Sequence, residues 1–115
     1  MELKNIYQEF NGNYESVIGR LRTDERIIKY LKKFEEGDIN TLITNALDEE
    51  DYETAFRESH NLKGICANLN MDALGASASE LTEALRGGKP EGNISALVSA
   101  MLADYEMTVN AIKKI

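Results

Sequence analysis

His60 is the one histidine of the chain. An imidazole that reaches solvent keeps a neutral, nucleophilic fraction at pH 7 and can accept a phosphoryl group on a ring nitrogen. A histidine without company is most often an ordinary surface residue, so its neighbours decide. Lys63, three residues on, is a helical neighbour whose ammonium brings three donors toward any phosphoryl group on the ring. Taken alone, it reads rather as a solvated lysine covering the bundle edge. Gly64, four residues on, costs a helix about 1 kcal/mol relative to alanine. In return it leaves bare backbone where another protein can come close. A kink or a helix–helix contact is the competing account. Phe56, one turn before His60, puts a ring on its flank, either as a docking patch or as the border of the core. Ala67, one turn past Lys63 and Gly64, keeps the patch small and apolar.

Phosphoryl transfer needs mainly positioning and charge neutralisation. The sequence has no glycine-rich phosphate loop of Walker or kinase type, so no ATP site is expected and another protein must supply the phosphoryl group. It offers no paired acid and base and no nucleophile triad, which argues against an independent enzyme. One histidine and one cysteine six residues apart do not make a metal site, so neither metal nor cofactor is expected.

These residues need a helix to present them. Tyr52, Ala55, Ser59, Leu62, Cys66 and Leu69 recur at spacings of three and four, forming one narrow stripe. His60 points about 130° away from the centre of that stripe, and Gly64 stands almost opposite it. Cys66 lies within the stripe and reads as a small buried residue. Asn70 sits where the helix must end, since asparagine tolerates the left-handed conformation. Leu74, Ala78, Leu81 and Leu85 make a second stripe, with Gly75 marking close helix packing. Gly87 to Asn93 is the clearest loop, and Asn93 can cap a helix carrying Ile94, Val98, Met101, Tyr105, Val109 and Ile112. Upstream, Ile39, Leu42, Ile43, Ala46 and Leu47 keep the helical period after a break at Glu36-Gly37-Asp38. Earlier still, Asn11-Gly12-Asn13 reads as a break. Thr23-Asp24 starts a helix with Ile27, Ile28, Leu31 and Phe34 on one face.

The expected fold is all-α. It is an up-down-up-down antiparallel four-helix bundle of helices near 38–48, 51–69, 71–86 and 93–114, preceded by additional short N-terminal helices. The 115 residues suit one domain, with 1–36 as the N-terminal helices and 37–115 as the bundle. The 43% hydrophobic content is enough to fill a core. A formal charge of −7 disfavours nucleic acid and anionic membrane as partners, since both call for basic patches. A single cysteine excludes an internal disulfide. The first residues lack a signal-peptide pattern, and no stretch approaches the roughly 20 apolar residues of a membrane span. A cytoplasmic setting is the expectation.

Ser59-His60-Asn61-Leu62-Lys63-Gly64 resembles the His-x-Leu-Lys-Gly motif of histidine-containing phosphotransfer (HPt) domains. The resemblance continues through Asn68-Leu69, Leu74, Ala78 and Leu81 to Ala84-Leu85-Arg86, and more weakly upstream through Tyr14-Glu15-Ser16-Val17 and Leu31-Lys32-Lys33-Phe34. It implies a four-helix bundle with His60 as phosphoacceptor, Lys63 beside the phosphoryl group and Gly64 clearing space for a partner. The implied partner is the receiver domain of a response regulator or hybrid histidine kinase, whose aspartate exchanges the phosphoryl group and which itself supplies an acidic pocket and Mg²⁺. A monomer is expected. Two positions depart from the family pattern. Asn70 stands where many members have glycine, and Thr82 stands where some have a glutamine near the histidine. The Thr82 hydroxyl is the group expected to substitute there, with Glu80 and Glu83 nearby. A helical adaptor that kept the fold without carrying phosphate is the alternative function.

Overall fold

The computed structural model describes residues 2–115. Seven α-helices follow one another: α1 (Leu3–Glu9), α2 (Tyr14–Leu21), α3 (Asp24–Glu36), α4 (Ile39–Asp48), α5 (Tyr52–Leu69), α6 (Asp72–Ala84) and α7 (Ile94–Ile112). Four of them begin where a side chain accepts from an otherwise orphan backbone N–H. Asn13 takes Ser16 N–H, Thr23 takes Arg26 N–H, Asp51 takes Thr54 N–H and Asn93 takes Ala96 N–H. The helix ends are as local. Gly37 leaves α3 in an extended conformation, and Asn70 closes α5 at φ 53°, its N–H donating to the Cys66 carbonyl.

Helix α5 packs along both α4 and α6, and α7 lies against α6 and α4. The links 49–51 and 70–71 are short, and α4 to α7 pack together as a helical bundle. All seven helices feed one core. Leu62, Leu74, Leu81 and Met101 from the bundle are fully buried with Ile6, Val17, Ile27 and Leu31 from the N-terminal helices. The close α5–α6 approach rests partly on Gly75, where a Cβ would stand 3.2 Å from the Cys66 Cβ.

One boundary differs from expectation. Helix α6 stops at Ala84 rather than near 86, and Arg86–Gly88 form a 3₁₀ turn with Gly87 at φ 77°. In the N-terminal part, α3 runs for 13 residues, from the start expected at Thr23-Asp24 to the break expected at Glu36-Gly37-Asp38. Its Thr23 cap and the buried Ile27, Leu31 and Phe34 give it both a start and a face to bury.

The N-terminal helices close the C-terminal end of α5, where helix carbonyls have no intrahelical partner. The Tyr7 hydroxyl donates to the Leu69 carbonyl at 2.7 Å, and Asn13 N–H donates to the Asn70 carbonyl at 3.0 Å. The Arg20 guanidinium donates to the Ala67 carbonyl at 3.1 Å and also to the Asn70 side-chain oxygen. The helix carrying His60 is thus held at its start by Asp51 and at its end by three residues from α1, α2 and their link.

Candidate functional site

His60 lies midway along α5 and is exposed. Ser59, Leu62 and Cys66 on the opposite side of the helix are buried, so the core fixes which way the imidazole points. Cys66 is inert in this setting: burial, with a smaller push from the Asp72 carboxylate, raises its thiol to about 12. Gly64 shares the outward face with His60 and is exposed. A Cβ built there meets nothing within 4 Å, so the glycine serves no internal contact of the fold. Lys63 is half-exposed at the edge of the same face, and Ala67 is exposed at its far end.

Phe56 reconciles its two accounts. It is half-buried and packs against the core, and its ring centroid lies 6.0 Å from that of His60. The Arg86 guanidinium sits over this ring, 5.4 Å from its centroid. Arg86 also donates twice to the Glu83 carboxylate, from Nε at 2.9 Å and from Nη2 at 2.6 Å. Those hydrogen bonds hold the Glu83 carboxyl below the usual carboxylate range, with smaller pulls from Lys63 and His60. Glu83 and Arg86 therefore stand within electrostatic reach of the imidazole.

Thr82 does not take the position expected of it. It is fully buried, and its hydroxyl donates to the Ala78 carbonyl at 2.7 Å. Ala78 lies one turn earlier on the core side of α6, and Thr82 shares that side rather than the one facing His60. The polar groups that α6 and its end bring toward His60 are Glu83 and Arg86. Their spacing of three is a helical acid–base pair that the sequence displays.

The arrangement is an open face rather than a pocket. Neither of the two main concavities of the described residues is lined by His60. The larger, about 630 Å³, opens between α3, α4 and α5 and is bordered by Glu58 and Ile65, on another side of α5. An exposed nucleophile on a flat face, with a cation one turn away and bare backbone beside it, suits reaction with a group presented by another macromolecule. It does not suit capture of a small substrate. Among the described residues, no group of three or more His, Cys, Asp or Glu is placed to hold a metal ion, and no helix is long and apolar enough to cross a membrane.

No curated protein and no solved structure matches the chain. A family model described as Hpt domain matches residues 32–111, from within α3 to near the end of α7. That span takes in α4 to α6, nearly all of α7 and the outward face of α5, and because it covers well over half of the 115 residues, the chain belongs to the Hpt domain family.

Proposed function

We propose that the protein is a phosphorelay intermediate that carries a phosphoryl group on His60 and exchanges it with the aspartate of a receiver domain, in a response regulator or a hybrid histidine kinase. Membership of the Hpt family supports phosphotransfer in two-component signalling generally. The observation that carries the finer reading is the pairing of an exposed His60 with open space over Gly64. A receiver can bring an aspartyl phosphate to the ring without meeting a side chain one turn along.

In the step, a lone pair of a neutral ring nitrogen forms the N–P bond as the P–O bond to the aspartate breaks. The aspartate leaves as a carboxylate, and the second ring nitrogen keeps its proton. The reverse step regenerates neutral imidazole. Lys63 offsets the negative charge of the phosphoryl group as a mobile cation. The acidic pocket and its Mg²⁺ belong to the receiver. The bundle contributes a nucleophile held outward on a helix anchored at both ends.

The test is label transfer from a phosphorylated receiver domain, with wild type beside His60→Gln. Acid-labile label on wild type and none on the variant is expected, with unchanged circular dichroism because the side chain is exposed. Wild type that takes no label from several receivers and none from phosphoramidate would refute the carrier and leave the adaptor.

A further inference from the structure

Glu83 has no part in the exchange just described, yet it is linked to the His60 face through Arg86 and Phe56. Its carboxylate accepts two hydrogen bonds from Arg86, and the Arg86 guanidinium lies over Phe56, the ring beside His60, with both charged side chains more than half exposed. A flexible surface glutamate would average its charge over many positions. This one is held in a bidentate pair, a geometry that limits both partners. The Glu83 carboxyl also responds to the charges of Lys63 and His60, so it lies within their field.

A phosphoryl group on His60 adds between one and two negative charges at that place. It would then share the Lys63 and Arg86 cations with a carboxylate already there. Two of the five N–H donors of Arg86 are committed to Glu83. The unphosphorylated face loses nothing by this, since the pair is locally neutral. The phosphorylated face carries a like-charge opposition that a receiver-bound phosphoryl group does not.

We infer that Glu83 sets the poise of the relay: its carboxylate, paired with Arg86 at the edge of the face, disfavours the phosphoryl group on His60 and biases transfer onward to the receiver. This rests on the carrier reading above. Glu83 is a positioning and charge-setting residue, not one that touches the reacting atoms.

The experiment measures the equilibrium partition of label between the full-length protein and one receiver domain, together with the hydrolysis half-life of His60 charged by phosphoramidate. Glu83→Gln keeps the shape and removes the charge. It is expected to raise the histidine-bound share about three- to tenfold at low salt, as removal of one nearby like charge in a water-rich setting does. Glu83→Asp keeps the charge and is expected to stay near wild type. The Gln effect is expected to shrink in about 1 M salt, where the screening length is about 3 Å. Labelled wild type with an unchanged partition in Glu83→Gln overturns the inference while leaving the carrier intact. An effect of Glu83→Asp as large as that of Glu83→Gln, or one indifferent to salt, overturns it as well, because shape rather than charge would then be acting. A wild type that accepts no label from either source overturns the carrier reading itself, and the inference with it.

Discussion

Gly64→Gln separates what the fold needs from what the exchange needs. The added Cβ meets nothing within 4 Å, so the substitution strains no packing. Gly64 lies inside α5, where glycine is about 0.5–1 kcal/mol worse than a good helix former. The variant is therefore more stable by about that amount. With an unfolding entropy of about 2.1 cal/mol/K per residue, a chain of this length has about 240 cal/mol/K in total, and the gain raises Tm by about 2–4 °C. On the proposed reading, the same side chain projects into the space beside His60 that a receiver enters. A steric conflict of about 1–3 kcal/mol at that contact slows transfer from a receiver about five- to 150-fold. Phosphoramidate needs no protein-sized approach, so it labels the variant at close to the wild-type rate. The assay is a thermal melt by circular dichroism beside single-turnover labelling from both donors. A Tm lowered by several degrees, or receiver transfer as fast as wild type, would refute the reasoning. Equal inhibition with the small donor would show that the glutamine disturbs the imidazole itself.

Leu62 is fully buried on the same helix, and Leu62→Ala is expected to lower unfolding stability by about 2–5 kcal/mol in urea titrations while the folded fraction still accepts label. A fragment of residues 32–115 lacks the buried Ile6, Tyr7, Phe10, Val17 and Ile27 and the hydrogen bonds that close α5, so it should lose its cooperative melting transition. A sharp melt at the full-length temperature would show the N-terminal helices to be dispensable. Stability should fall as pH rises through the range between the ordinary thiol value of 9.0 and about 12. There the unfolded chain has released the Cys66 proton and the folded chain, whose thiol is raised by burial, still holds it. Burial raises the Tyr7 phenol too and acts in the same direction. Cys66→Ala should therefore flatten, without abolishing, the alkaline loss measured by urea midpoint.

The bundle was legible because its helices announce themselves by period and punctuation. The stripe from Tyr52 to Leu69, the Asn70 stop and the Asn93 start all stand within a residue of their expected places. The outward direction of His60 followed from the same wheel, and the open side of Gly64 agrees with it. Tertiary relations were harder to read. Nothing in the local sequence of α1 says that the Tyr7 hydroxyl reaches the end of α5, 62 positions away. Thr82 departs from its expected place because a polar residue at a stripe's border can bury itself by bonding back to the helix backbone, as its hydroxyl does to Ala78. The placing of Arg86 over Phe56 depends on the 3₁₀ turn after α6, and that turn depends on Gly87 adopting a positive φ. The sequence shows the glycines but not where they aim the arginine.

On the proposed carrier reading, the bare backbone at Gly64 bears on how the protein can diversify. A centre without a side chain presents the same blank to every visitor, so discrimination among visitors falls to the border, where Phe56, Lys63, Glu83 and Arg86 stand. Of these, Lys63, Glu83 and Arg86 contribute nothing to the buried core. Choice of correspondent and ability to fold are in that sense separate variables, and a lineage can rewrite the first while leaving the second untouched.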